Sequence, residues 1–296
     1  MVENNSTVKV EGLYSEETVQ HLHQRIKTDP IGAYLEEVTA RFRCLFEQPG
    51  WDPGDPLCIW MGLETAVTCF PAEQMIQRGL EAEDWQSLND TNFQSVRLQT
   101  FGLRLNPGEE FWYFFQALAA IAVGDDGLME WIFPAGMEKK VPKKVYPLYR
   151  VGAPLLAGLW YQDRALLEFA VPNGETFAAS KKPQWDRAVI SYLLALCRRD
   201  VKEAGKQLQT LCQTVTRVDV SWEKEPFLPA HGLYRLAARV LSGEEFDQLA
   251  MPDYKTFSRG YARWRGTPSG TLALPYPEPM EFVNKALTGV WPPRQC

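Results

Sequence analysis

A chain of 296 residues with 45% hydrophobic content is long enough to bury a large core, which sets aside a disordered tail or linker. Its formal net charge of -6 argues against phosphate backbones and anionic membrane surfaces as partners, because both are held by clustered Lys and Arg. A basic protein partner suits that charge better.

Met1 to Tyr14 is polar, with no apolar run behind basic residues, so no secretory signal is expected and a cytoplasmic location is predicted. From there helical periodicity dominates. Ile31, Leu35, Val38, Phe42 and Leu45 share one helical face, opened by Asp29-Pro30 and stopped by Gln48-Pro49-Gly50. The longest apolar stretch, Phe111 to Val123, is shorter than the roughly 20 residues that cross a bilayer, so no membrane partner is expected and a buried helix is predicted. Its aromatic start, Phe111 to Phe115, is expected to be buried on every side. Phe133 to Pro147, rich in proline and lysine, reads as a solvated loop and as the candidate seam of an otherwise single domain, residues 1–296. Two amphipathic helices meet at Arg199-Asp200: one carries Trp185, Ala188, Tyr192 and Leu196, the next Val201, Ala204, Leu208, Leu211 and Val215. Tyr254, Phe257, Tyr261 and Trp264, with Arg259, Arg263 and Arg265, could stack on single-stranded nucleic acid, but their helical spacing favours a packing face with the arginines as its solvated side. Gly266 to Pro279 reads as irregular. Outside Val8 to Val10 and Arg217 to Trp222 there is little strand-like alternation, and the predicted fold class is all-α.

Three apolar, small-residue segments each end at an aspartate: Ala117 to Asp125, Leu155 to Asp163 and Tyr192 to Asp200, with the aspartates 38 and 37 residues apart. Leu233 to Gly243 resembles a fourth copy without the Asp. Two origins fit, an α-solenoid-like repeat of 37–38 residues or chance similarity among buried helices, and both predict layered antiparallel helical hairpins.

Signals for chemistry are sparse. Cys44, Cys58, Cys69, Cys197, Cys212 and Cys296 include no CxxC pair and are expected as free thiols. His21 and His23 fall on different faces of a surface helix, and His231 follows Pro229 at a helix start, where it is expected to be structural. No phosphate-binding loop, GxSxG or HExxH is present, so neither enzyme, cofactor nor metal is predicted. The acidic doublets Glu36-Glu37, Glu109-Glu110, Asp125-Asp126 and Glu244-Glu245 read as helix-opening or turn residues. Trp222, in the acidic run Ser221-Trp222-Glu223-Lys224-Glu225, is either a cover for a helix pair or an anchor for a basic partner. The candidate partner-binding residues are accordingly Asp125, Asp126, Trp222, Glu223 and Glu225.

Trp185, Ala188, the helix that ends in Arg199-Asp200, and the following Leu208 and Leu211-Cys212 together resemble the immunity protein 49 family of bacterial polymorphic toxin systems, over roughly Gln184 to Cys212. The resemblance implies an all-helical immunity protein that neutralises a cognate toxin or secretion-system effector by stoichiometric binding, and a basic, nucleic-acid-cleaving toxin would suit the acidic chain. The alternatives are an α-helical adaptor for a cellular protein, or an enzyme with a site built from scattered acids and His231.

Overall fold

The computed structural model describes residues 20, 28–47, 49–52, 55, 70–101, 110–137, 143–218, 223–266, 270–278 and 280–289. Among the described residues it holds thirteen α-helices and no strand, so the fold is all-α. The helices are α1 Pro30–Phe46, α2 Ala72–Glu81, α3 Trp85–Phe101, α4 Phe114–Val123, α5 Asp126–Ile132, α6 Pro147–Tyr161, α7 Arg164–Ala178, α8 Gln184–Cys197, α9 Val201–Thr214, α10 Leu228–Val240, α11 Gly243–Asp247, α12 Arg259–Arg263 and α13 Glu281–Thr288. None of the described helices is long and apolar enough to cross a membrane.

α1 begins where the sequence places it. Pro30 needs no amide partner in the first turn, and the Asp29 side chain accepts from the Gly32 N–H at 3.0 Å.

The three aligned segments adopt one local geometry. At the ends of α4, α6 and α8 the chain turns through a left-handed residue, Gly124, Gln162 and Arg199. The aspartate that follows donates its N–H to the carbonyl five residues back: Asp125 to Ala120, Asp163 to Gly158 and Asp200 to Ala195, each at 2.9 Å. Its side chain then caps the next helix, accepting from Leu128, Leu166 and Glu203 at 3.0–3.1 Å. Stopping one helix and starting another in a single turn satisfies orphan carbonyls and orphan amides together, and so makes a compact corner. A further corner of the same kind joins α2 to α3. There Glu83 is left-handed, Asp84 N–H bonds Gly79 O at 2.9 Å, and the Asp84 side chain accepts from Ser87 N–H at 3.0 Å. Asp84 lies 41 residues before Asp125. Leu233 to Gly243 departs from the pattern. α10 ends in an extended Leu241, and α11 is started by a reciprocal capping box between Ser242 and Glu245.

Consecutive hairpins pack on one another, but α10 returns to lie along α4, so the body is not a one-dimensional stack in which each repeat touches only its neighbours. The contact is close because α10 presents Gly232 to the Leu118 carbonyl of α4. α4 is buried along almost its whole length, as are most of α6, α8 and α10. Phe114 and Phe115 both pack on Tyr149, joining the helices on either side of the proline- and lysine-rich stretch.

Some local expectations need correction. The aromatic run is not one buried helix. Glu110–Tyr113 is a 3₁₀ turn, and it leaves Trp112 42% exposed against the edge of Tyr149. Only Arg259–Arg263 of the predicted aromatic face is helical. Tyr254 and Phe257 precede it in turns, although Phe257 and Tyr261 are buried as expected. Cys44, Cys197 and Cys212 are free, while Cys58, Cys69, Cys296, His21, His23 and the candidate strand at Val8 to Val10 lie outside the described residues.

α3 is the least expected element, a polar helix in the interior. Asn89 donates to Val123 O and accepts from the Tyr261 hydroxyl. Gln94 exchanges two hydrogen bonds with the backbone of Leu274, and Thr91 and Thr100 bond back to their own helix. Arg97 makes a bidentate pair with Asp125. Burying this many polar groups is tolerable because nearly all of them find partners.

Candidate functional site

Three elements and one connecting segment enclose a groove of about 470 Å³. α1 supplies Pro30, Ala33, Tyr34 and Glu37, whose spacing places them on one helical face. The start of α2 adds Glu73 and Gln74 behind Phe70 and Pro71, and α3 adds Ser95, Leu98 and Gln99. The segment before α10 contributes Glu223. Among the described residues the lining is thus half apolar, with three carboxylates and no Lys, Arg or His. Glu37 is engaged by Arg41 one turn away on α1, a pair exposed enough to exchange for a partner's cation at little cost. Partial desolvation holds the Glu223 carboxyl above the ordinary carboxylate range, and Glu73 nearby raises it further. Both effects disfavour a bare negative charge there, and an incoming cation offsets them through its own attraction to the carboxylates.

Behind the groove, sharing Ala72, Ser95, Gln99 and Glu223 with it, is a recess of about 60 Å³ walled by Asn92, Val96 and Leu228. A second cavity of about 450 Å³ lies between α6 and α7. It carries Arg150 and Lys182 beside the exposed Phe169, and no carboxylate is among its described lining residues.

The residues singled out from sequence do not converge. Glu223 faces the groove. Glu225, two residues on, is exposed and pairs with Lys255. Asp126 is exposed at the first turn of α5, with Arg239 at 3.7 Å, and lines neither the groove nor the recess. Asp125 is interior: its side chain is 4% exposed, pairs with Arg97 at 2.6 and 3.0 Å and caps α5, so it offers no surface to a partner. Trp222 lies outside the described residues. Sequence reasoning did not single out Glu73 or Asn92, which reach Glu223 only through the fold.

His231 is fully buried and structural in its contacts. Its Nε2 accepts from the Ser258 N–H at 3.1 Å, which leaves Nδ1 to carry the proton and donate to Phe227 O at 3.2 Å. The ring stacks on Phe257 with centroids 4.3 Å apart. Burial pushes its pKa down from 6.5 to about 4. A histidine kept neutral in the fold but free to protonate when unfolded contributes stability fully above pH 6.5, and that contribution is lost as pH falls toward 4. Unfolding free energy is expected to drop by about 3 kcal/mol over that interval from this residue. Urea titrations across the range should show a shallower slope in His231→Gln than in the parent; equal slopes would discount this origin. Among the described residues no three His, Cys, Asp or Glu side chains gather as a metal site.

Comparison of the chain with family models, with curated protein sequences and with solved structures finds no match.

Proposed function

We propose that the protein is an immunity protein that neutralises a cognate bacterial toxin by direct stoichiometric binding, and that the acidic groove is its contact surface. The observation that carries the reading is the charge of that groove: Glu37, Glu73 and Glu223 line it, and none of its described lining residues is a cation. Such a surface attracts a basic protein, steers its approach and repels nucleic acid. The net charge of -6 adds to the same field, and the resemblance over Gln184 to Cys212 supplies the toxin context. A nucleic-acid-cleaving toxin, whose own surface must be basic to hold its substrate, is the fitting target. Such a protein acts in the cytoplasm of the producing bacterium, without cofactor or catalysis.

The test is capture from the native bacterium with the tagged full chain, followed by co-expression with the captured protein. Recovery of a growth-inhibiting protein that this chain silences at equal stoichiometry is the expected result. A non-toxic partner would favour an adaptor instead, a reading that the four equivalent hairpin corners make reasonable, since layered hairpins present extended binding surfaces. Glu73→Lys/Glu223→Lys should weaken the captured complex by about 10-fold to 100-fold at low salt, mostly through a slower association rate. Asp126→Lys, away from the groove, should change it little, and equal effects of the two variants in calorimetry would remove the groove from the interface.

A further inference from the structure

α3 satisfies its buried polar groups with one exception. Asn92 is 4% exposed, yet among the described residues its Nδ2 has no hydrogen-bond partner. A buried amide donor without an acceptor is disfavoured, and here it stands in the wall of the recess that opens toward Glu223 and the groove. At about 60 Å³ the recess takes a water or the oxygen of an incoming carbonyl and is too small for a long side chain.

Resting on the reading of the groove as the partner surface, we propose that it receives an extended peptide segment of the partner that carries an arginine or lysine. The cationic head lies between Glu73 and Glu223. The aliphatic stem runs along Tyr34, Phe70 and Leu98, and a main-chain carbonyl of the segment enters the recess and accepts from Asn92 Nδ2. Each part of the lining answers one part of such a ligand. Carboxylates take the head, apolar walls take the stem that long basic side chains bury when their charge is bound, and the amide takes the backbone. A small polyamine answers the carboxylates and the apolar walls but not the amide. Protonated amines are donors throughout, so they leave Asn92 without an acceptor. A nucleic acid brings acceptors, but its phosphates meet three carboxylates.

The test uses the full chain and a fluorescein-labelled peptide, Gly-Gly-Ala-Arg-Ala-Gly-Gly, read by fluorescence anisotropy. Its neutral counterpart carries citrulline in place of arginine, and spermidine serves as competitor. The arginine peptide should bind at least ten-fold more tightly than the citrulline peptide, and Glu73→Gln/Glu223→Gln should abolish that preference. Asn92→Leu should weaken both peptides several-fold. An alkene isostere of the Arg-Ala bond, which lacks the carbonyl, should reproduce that loss on the parent protein, so the contact is read even if the variant fails to fold. Equal binding of the two peptides, or spermidine binding as tightly as the arginine peptide, overturns the proposal; so does indifference to both the Asn92 variant and the isostere. If the peptides fail while Glu73→Lys/Glu223→Lys still weakens the captured toxin, the groove remains the interface and only the extended segment falls. If neither responds, both readings fall.

Discussion

Replacing Asp125 with alanine should cost the fold about 3–5 kcal/mol, the penalty for leaving a buried guanidinium without its counter-charge. The Arg97 and Asp125 side chains are 9% and 4% exposed, and the guanidinium meets both carboxylate oxygens. The same guanidinium donates to Leu287 O and Gly289 O, tying down the end of α13, and lies 4.5 Å over the Phe93 ring. Asp125 in turn caps α5 through the Leu128 amide, a contact worth about 1 kcal/mol that overlaps the larger loss. Four elements, α3, the α4–α5 corner, α5 and α13, therefore lean on one ion pair. Thermal unfolding should move down on the order of 10 °C. Removing both charges together, in Arg97→Met/Asp125→Leu, should cost much less than Asp125→Ala, because no charge is then stranded. A single variant that melts within about 2 °C of the parent would contradict this account of the pair.

Gly232→Ala should be comparably damaging for the opposite reason, too much matter. A Cβ at this position would stand 1.8 Å from the Leu118 carbonyl oxygen and 2.6 Å from its carbon. The obstacle is the backbone of α4, whose flanking side chains are buried, so no rotamer change relieves the clash and the two helices must separate. Overpacking a well-filled core costs about 1–3 kcal/mol, and a backbone obstacle puts this site at or above the upper end. Gly243→Ala is the internal control. Nothing lies within 4 Å of its added Cβ, and it opens α11, so its effect should stay within about 0.5 kcal/mol of zero or be slightly stabilising. Urea denaturation of the pair separates steric loss at the α4–α10 contact from the general cost of removing a glycine; similar midpoints for the two variants would refute it.

These two sites also show where sequence stops being readable. α1, α8 and α9 were legible because their apolar residues recur at helical spacing between clear start and stop signals. The three corners were legible because each follows an apolar helix and ends in Asp. The fourth, at Asp84, escaped because α2, the helix before it, is polar and lacks the apolar, small-residue pattern of the other three. α3 escaped for a related reason: its buried residues mix Leu88, Phe93, Val96 and Leu98 with Asn89, Thr91, Gln94 and Arg97, so no clean apolar stripe marks it as interior. With α3 unseen, Asp125 read as half of an acidic doublet in a turn and as a candidate partner contact, since the cation that holds it inside is 28 residues away on that helix. The candidate groove was legible at Glu223 alone. Glu73 and Asn92 join it through the packing of α2 and α3 against the segment before α10, a juxtaposition that no local pattern carries.

The repeated corner has a use beyond joining helices. Backbone amides at turns ordinarily swap their hydrogens with solvent quickly, yet Asp84, Asp125, Asp163 and Asp200 each hold theirs in a bond to the carbonyl five residues back. Each bond breaks only when its own hairpin parts, so the chain carries four chemically matched clocks, one per hairpin. In deuterated water, equal rates at all four would mark a body that opens all at once. An ordered sequence of rates would name the hairpin that yields first, and with it the face that a binding partner most easily reshapes.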